Sequence, residues 1–314
     1  MEDIHYNKDA KDLDGEINFF ELIQLLLKEK WKIISLTSFV SICGMIYIFF
    51  LPNIYESKAL LVPVNSSINI GGSLRSYSGL ASMAGISLTS GDDDSNSAQA
   101  MEKINSLSFF ENNILPNIFL PDLMAIKHWD SETNTISYDE SIYNKNNDIW
   151  VRKYSFPKKK IPSAQESFKK FKNSYMSFSK SRDSGYITLS IKHQSPFLAK
   201  EWTELIVDEI NNFYRQKDKL QAQKAISYLN QQISITNLTE TKQAIAELIQ
   251  EETQKLTLIE ANEAYVFDYI DPPVAMEIPS EPNRFLIFIL FVLLGGILSI
   301  SIVLINYIYR EKAS

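Results

Sequence analysis

The sequence is poor in the residues that build disulfide or metal frameworks. Among 314 residues it has one cysteine, Cys43, and three histidines, His5, His128 and His193. A single cysteine excludes an intramolecular disulfide framework and a zinc site made of several thiolates. The histidines lie far apart along the chain, without the spacing of metal ligands. We therefore expect no metal site and no cofactor.

Positive charge is also scarce. The chain has 31 Lys and Arg against 38 Asp and Glu, a formal net charge of -7, so it lacks the basic surface of a general nucleic-acid binder. The acidic pairs Asp139–Glu140 and Glu251–Glu252 are adjacent in sequence and do not share a helix face. The glycine-containing segment 79–85 has no following lysine, so it is not a phosphate-binding P-loop. No arrangement of residues indicates an enzyme.

Apolar residues are concentrated in two long runs. The mean hydropathy of -0.12 is too low for a polytopic transporter. Residues 33–51 and 285–309 nevertheless contain no charged side chain. A run of about 20 apolar residues crosses the hydrocarbon layer as a helix. The sequence therefore predicts two transmembrane helices, with tails at residues 1–32 and 310–314.

Two other interpretations of these runs are less favourable. Buried core helices are rarely apolar on every face over such a length. A cleaved signal peptide would have a leader of about 32 residues, and no small-residue cleavage site follows Leu51. An uncleaved anchor is the better interpretation of the first run.

Cationic residues flank the outer ends of both runs and predict their orientation. Lys28, Lys30 and Lys32 precede the first run, and Arg310 and Lys312 follow the second. Such residues mark the cytoplasmic side. We expect both termini in the cytoplasm and residues 52–284 on the other side. That region has 24 Lys and Arg against 29 Asp and Glu, a net charge of -5. Residues 17–27 of the N-terminal tail are amphipathic and predict an interfacial helix.

The first half of the outer region predicts a mixture of strands and helix. Residues 55–64 are apolar and β-branched enough for a strand, and residues 65–96 are rich in Gly and Ser and indicate a loop. We expect a helix at about 98–112, and strands around 150–156 and 186–193. Residues 113–160 give no other clear pattern.

From Ser195 the apolar residues recur at the helical period. Ser195 is a capping residue and Pro196 suits the first turn. The pattern lasts for about 40 residues, stops at 236–239, and resumes to about 262. This predicts a long helical hairpin whose apolar face is covered by its own protomer or by a neighbouring copy. Candidates for contact with another copy or a partner are Trp202, Ile206, Ile210 and Phe213.

The return to the second run is rich in proline. A short strand at 265–270 is followed by Pro272, Pro273, Pro279 and Pro282, and Arg284 precedes the run. Proline fixes the backbone and excludes helix. We expect an extended, stiff connector that transmits the geometry of the outer domain to the second span. Within that span, the small residues Gly295, Gly296 and Ser299 are candidates for close helix packing.

Several of these motifs together resemble the Wzz family of polysaccharide co-polymerases. They are INFFELIQLLLKEKWKII before and into the first run, YESKALLVP after it, the long helix that starts at Ser-Pro, and LIQEETQKLTLIEANEAYVFDYIDPPVAMEIPSEPNR before the second. The positions that match the family pattern are Tyr55, Glu56, Ala59, Pro63, Tyr265, Phe267, Ile270, Asp271, Pro272, Pro279, Pro282 and Arg284.

The resemblance implies an α+β protein with two transmembrane helices that flank a periplasmic α/β base and a long helical hairpin. It implies an inner-membrane protein that forms a ring of identical copies. Its function would be to set the modal length of a bacterial surface polysaccharide, such as O-antigen, without catalysis. The implied partners are the polysaccharide polymerase, membrane lipid and the lipid-linked glycan.

A second hypothesis belongs to another class. The chain could be a membrane-anchored structural adaptor of an export or efflux complex, with the helical hairpin as its bridging element. Such an adaptor usually has a lipoyl-like or barrel domain beside the hairpin. The strand content predicted here is small for either domain.

Overall fold

A computed structural model describes residues 19–64, 93–262 and 264–313. Residues 65–92 of the predicted loop lie outside these residues, whereas residues 93–96, also predicted as loop, belong to a helix that begins at Asp93. The chain forms two compact units, one of Met1–Pro52 with Glu281–Ser314 and one of Asn53–Ser280.

The first unit is helical in its described part. It contains α1 (Phe19–Lys28), α2 (Lys30–Phe50) and α9 (Arg284–Ala313). Lys30–Phe50 and Arg284–Tyr309 are long and apolar enough to cross a membrane. Most of their side chains are exposed, whereas a core helix of a soluble domain is mostly buried. These two helices match the two runs predicted from the sequence.

The second unit mixes helices with short strands. Its strands are β1 (Tyr55–Pro63), β2 (Ile126–Asp130), β3 (Thr135–Tyr138), β4 (Tyr143–Asn144), β5 (Ile149–Trp150), β6 (Met176–Lys180), β7 (Ile187–His193) and β8 (Phe267–Asp271). Its α-helices are α3 (Asp93–Ile104), α4 (Leu107–Phe109), α5 (Leu120–Met124), α6 (Ala164–Lys170), α7 (Pro196–Ile235) and α8 (Thr239–Ala261). The predicted α+β class is confirmed.

A four-stranded antiparallel sheet forms the base of this unit, in the order β6-β7-β1-β8. Tyr55 pairs with His193 at one end of the central strands, and Leu61 pairs with Ile187 at the other. Inward-facing Ala59, Leu61 and the apolar residues of β7 are fully buried. The alternating pattern that predicted β7 therefore gives one face to the core.

The long helical hairpin begins as its sequence indicates. The Ser195 hydroxyl accepts a hydrogen bond from the backbone N–H of Leu198, and Pro196 occupies the first turn of α7. The chain leaves the helix at Thr236 and enters α8 at Thr239. Near the base of the hairpin, Lys219 of α7 forms an ion pair with Glu260 of α8. α7 and α8 are therefore antiparallel.

Two predicted elements differ from the structure. The helix expected at 98–112 is interrupted at Asn105, because the Ser106 hydroxyl caps a new turn by accepting from the N–H of Phe109. The prediction of a strand at 150–156 is wrong beyond Trp150. The chain that follows curves around the Arg152 guanidinium, which donates hydrogen bonds to its backbone carbonyls. Both segments are apolar enough to suggest a regular element, but local polar contacts decide their course.

The core lies between the sheet and the first half of α7. Trp202, Ile206 and Ile210 of α7 are each at most 2 % exposed and pack within this core. Their proposed contact with another copy or a partner is therefore wrong, because the protomer itself covers them. Phe213, the fourth candidate, is half-buried against the ring of Phe109. The Lys103 ammonium lies 4.7 Å from the centroid of the Phe213 ring.

Candidate functional site

The connector between β8 and α9 is the first candidate element. Residues 272–283 contain no helix, as the four prolines predict. Pro273 is buried, whereas Pro272 and Pro279 are exposed and Pro282 is half-buried. Arg284 is the first residue of α9. The helix thus begins only after the last proline, where the fixed backbone ends.

Hydrogen bonds attach the connector to the segment that enters the second unit, Asn53–Ser280, which is called the outer unit below. The backbone N–H of Ser280 donates to the carbonyl of Ile54 at 2.8 Å, and the Ser280 hydroxyl donates to the same oxygen at 3.1 Å. The Ser57 hydroxyl of β1 donates to the carbonyl of Val274 at 2.9 Å. The chain that leaves the outer unit is therefore fixed to the chain that enters it, which gives the predicted stiffness a second cause besides proline.

Small residues bring α2 and α9 close together. A Cβ added to Gly44 would lie 2.4–2.8 Å from the Phe291 side chain, and one added to Gly295 would lie 3.1 Å from Val40. The hydroxyls of Thr37 and Ser299 are 3.1 Å apart. Without a side chain at Gly44 and Gly295 the backbones can approach, and the paired hydroxyls satisfy each other between apolar helices.

The three small residues predicted in the second span have different surroundings. Gly295 and Ser299 face α2, and Ser299 is fully buried. A Cβ at Gly296 would meet nothing within 4 Å, so this residue does not contribute to the contact between α2 and α9. Gly44 makes the closest approach between the two helices, at Phe291. It was not predicted, although a single glycine in the first apolar run indicates a candidate site of close helix packing.

A buried asparagine joins the long helix to the strand that precedes the connector. The Asn211 carboxamide oxygen accepts from the N–H groups of Val266 and Phe267, at 2.8 and 3.0 Å. Its nitrogen donates to the Phe267 carbonyl at 2.9 Å. These bonds satisfy the backbone at the start of β8 inside the core. Sequence reasoning missed Asn211, although a polar residue directly after Ile210 in an apolar helical face was a signal.

Buried titratable groups cluster at the Tyr55 end of the sheet. Burial lowers the pKa of His193 to about 4, so the ring is neutral at pH 7. Its Nδ1 accepts from the N–H of Ser195 at 2.9 Å, and its Nε2 lies 3.4 Å from the Asp122 carbonyl. Burial raises the pKa of the Asp122 carboxyl, which accepts from the Tyr138 hydroxyl at 2.6 Å. Both groups are engaged with neighbours of the protomer, as is typical of structural polar residues.

The histidines and acidic residues of the described part form no cluster of metal ligands. In residues 19–64, 93–262 and 264–313, no group of three or more His, Cys, Asp or Glu could hold a metal ion. His128 is exposed on β2, far in sequence from His193. The arrangement can position segments of chain, and its polar contacts do so at the connector, at Asn211 and between the spans.

Comparison with known proteins gives one family match. The model of the family described as "Wzz: Chain length determinant protein" matches residues 15–112, which is less than half of the chain. This match confirms the resemblance recognised in the sequence. No curated protein matches the chain at a significant level.

Two of the solved structures similar to this chain have low sequence identity to it. One is a full-length bacterial polysaccharide co-polymerase, with 14% identity and a TM-score of 0.40, over 94% of this chain and 99% of that one. The other is a fragment of WzzB, a polysaccharide co-polymerase from Salmonella Typhimurium, with 11% identity and a TM-score of 0.31, over 73% of this chain and 100% of that one.

Proposed function

We propose that this chain sets the modal length of a bacterial surface polysaccharide, O-antigen or a related glycan, as a non-catalytic co-polymerase. It acts beside the polymerase that extends the lipid-linked glycan. The family match over residues 15–112 gives the class of function. The buried side chains of Asn211, His193 and Asp122 each bond to neighbouring groups of the protomer, as structural polar residues do.

The observation that carries this proposal is the closed attachment of the outer unit. β1 enters it directly after the first apolar helix, β8 lies beside β1, and the connector is bonded to Ile54 before the second helix begins. One domain held at both ends suits a protein that sets a position for a growing glycan beside a membrane enzyme. In this proposal the spans lie in the inner membrane, both termini are cytoplasmic, and the outer unit is periplasmic.

The proposed active form is a ring of identical copies. In the long helix α7 the last buried residue is Ala222, and several apolar side chains of the hairpin between Lys219 and Glu260 are exposed. They are Leu220, Tyr228, Ile235, Leu238, Leu248 and Leu258. Exposed apolar residues at this density are typical of an interaction surface. They replace the buried residues of α7 as our candidates for contact between copies.

Size measurement tests the ring. We expect the full chain in detergent or lipid to form a large oligomer, and we expect Leu220→Gln with Tyr228→Gln and Leu248→Gln to reduce its mass. Thr253→Gln, on the exposed part of α8, is the control and leaves the mass unchanged. If the unmodified chain is a monomer, the proposed ring is wrong.

Gel analysis of the surface polysaccharide tests the function itself. Deletion of the gene is expected to remove the modal length while polymer is still made and exported. Return of the full chain restores the mode. An unchanged length distribution after deletion would overturn the proposal.

The exposed part of the helical hairpin favours one alternative, a structural adaptor of an export or efflux complex. The described strands, however, form only one four-stranded sheet and two two-stranded ones, with no barrel or lipoyl-like sandwich among them. Deletion separates the two functions, because loss of an adaptor would stop export while loss of a length regulator would change only the distribution.

A further inference from the structure

A cavity lies at one end of the two apolar helices, where three helices of the first unit meet. Its volume is about 430 Å³, which is within the range typical of ligand sites. Its lining residues come from segment 25–32, at the junction of α1 and α2, and from segment 303–309 of α9. Both segments belong to one compact unit, so the shape of the cavity does not depend on the outer unit.

The junction of α1 and α2 is a single residue, Glu29, and backbone hydrogen bonds continue across it. The N–H of Glu29 donates to the Leu25 carbonyl at 3.0 Å, and the N–H of Lys32 donates to the Glu29 carbonyl at 2.9 Å. The helical period is therefore nearly kept, and residues four apart share a face. Lys28 and Lys32 have this spacing, and both line the cavity.

The charged part of the lining is positive. It consists of Lys28, Lys32 and Glu29, so two ammonium groups and one carboxylate give a net charge of +1. The Lys32 ammonium pairs with the Glu29 carboxylate at 2.8 Å. Within residues 19–64, 93–262 and 264–313, no carboxylate forms an ion pair with Lys28. The cavity therefore suits an anion.

The rest of the lining is partly polar and partly apolar. Asn306, Tyr307 and Tyr309 contribute a carboxamide and two phenol hydroxyls, all of which contain hydrogen-bond donors. Leu25 and Val303 contribute apolar surface. A ligand that carries a phosphate on an apolar chain would match both parts of the lining.

The composition of the helices themselves places the cavity at the edge of the apolar layer. The apolar segments begin at Lys30 and end at Tyr309. The contacts described above make α2 and α9 antiparallel, so the start of the first segment lies beside the end of the second. Lipid headgroups lie at this boundary, and tyrosine is enriched there.

We propose that this cavity binds the phosphate of an anionic phospholipid. Lys28 and Lys32 bind the phosphate oxygens, and the apolar lining contacts the start of an acyl chain. Basic pockets between transmembrane helices bind lipid headgroups in this way. A soluble phosphate has the same anionic group but no apolar chain to contact Leu25 and Val303, so the lipid is the better match.

Titration of the full chain with lipid, followed by native mass spectrometry, tests the proposal. The lipid-depleted protein in neutral detergent is mixed with phosphatidylglycerol, or with phosphatidylcholine, whose headgroup has a phosphate but no net charge. The spectra give the number of bound lipids and the dissociation constant. We expect phosphatidylglycerol to bind at concentrations where phosphatidylcholine does not, and to bind more weakly at high salt.

Single substitutions give the sharpest comparison. Lys28→Gln is expected to weaken phosphatidylglycerol binding about fivefold, and Lys28→Gln with Lys32→Gln on the order of 25-fold. Lys30→Gln is the matched control and leaves binding unchanged, because Lys30 is equally exposed but does not line the cavity. Asn306→Trp keeps the charge, fills the cavity and is expected to abolish binding. Thermal unfolding of each variant shows whether the fold is kept.

Four results would overturn the proposal. Equal affinity for the two lipids removes the role of the lysines. Equal weakening by Lys28→Gln and Lys30→Gln assigns the binding to general surface charge, and full binding by Asn306→Trp assigns it to a site outside the cavity. Displacement of the lipid by an equimolar amount of inorganic phosphate assigns the cavity to a soluble anion. None of these measurements involves a polysaccharide, so the proposed function is tested separately.

Discussion

Asn211 and Phe267 are joined by hydrogen bonds at both the N–H and the carbonyl of Phe267. One buried carboxamide thereby connects the middle of the long helix to the first residue of β8. Phe267 itself is only 1 % exposed, so water cannot replace these bonds. The position of the returning strand depends on this side chain.

Asn211→Ala is expected to lower the free energy of unfolding by about 2–4 kcal/mol, because it leaves buried N–H and carbonyl groups of β8 without partners. Urea unfolding of the detergent-solubilised chain, followed by tryptophan fluorescence, measures this change. Asn212→Ala, at the next and exposed position, is the control and is expected to change stability by less than about 0.5 kcal/mol. Equal effects at both positions would contradict the role given to Asn211.

The contact between the two spans makes a second prediction. Thr37→Cys with Ser299→Cys, in a Cys43→Ser background, is expected to form a disulfide in high yield, because the two hydroxyls lie 3.1 Å apart. Adding Gly44→Leu is expected to reduce the yield severalfold, since even a Cβ would overlap Phe291. Adding Gly296→Leu leaves it unchanged, since that position meets no neighbour. Gel mobility without reductant gives the yields, and a loss with Gly296→Leu as large as with Gly44→Leu would refute the interface.

The connector makes a third prediction. Pro279→Ala with Pro282→Ala removes two fixed backbone angles, one on each side of Ser280. The hydrogen bonds from Ser280 to Ile54 then form at a larger cost in chain entropy. We expect a broader polysaccharide length distribution on gels, with normal membrane insertion and amount of protein. Pro116→Ala, at an exposed turn of the outer unit, is the matched control. Normal banding from the double variant would count against a stiff connector.

His193 makes a fourth prediction, about pH. Its folded pKa of about 4 lies below the usual 6.5, so the unfolded chain binds the proton more strongly. The contribution of His193 to the free energy of unfolding is therefore fully present above about pH 6.5. It is lost as the pH falls from 6.5 to 4, and the loss reaches about 3 kcal/mol. The pKa of Asp122 is raised by folding, so the contribution of this carboxyl to the free energy of unfolding falls as the pH rises above the usual pKa range of an aspartate.

His193→Asn tests this dependence. Its carboxamide oxygen can still accept from the N–H of Ser195 but does not titrate. Urea unfolding at pH 7 and at pH 4.5 is expected to show a smaller loss for His193→Asn than for the parent, by about 2–3 kcal/mol. His128→Asn, on the exposed face of β2, serves as the control. Parallel losses in the parent and His193→Asn would show that the ring does not cause the acid sensitivity.

The strongly periodic parts of the fold were predictable. The start of α7 follows from Ser195 and Pro196, β7 follows from alternating apolar residues, and the apolar helices follow from length and composition. These signals are local, because the residues that specify the element lie within it. The course of the connector was predictable for the same reason, since each proline acts on its own backbone.

The other features depend on contacts between distant residues. The fold of the chain around Arg152 depends on Glu166, and the burial of Trp202 depends on rings from β7 and from the π-helical turn at Phe171–Tyr175. Nothing within residues 150–156 shows that a guanidinium will end the strand. Likewise, an apolar helical face does not reveal whether its own protomer or another copy covers it. Trp202, Ile206 and Ile210 were therefore candidates for contact with another copy, although the core of their own protomer covers them.

The hydrogen bond from Ser280 to Ile54 also means that the outer unit, Asn53–Ser280, begins and ends at nearly the same point in space. A domain with adjacent termini tolerates circular permutation. Asn53 and Ser280 can be joined by a short linker and new termini opened in the turn at 181–185, with every pairing of the four-stranded sheet retained. The order in which this domain is synthesised is then separable from the fold it adopts.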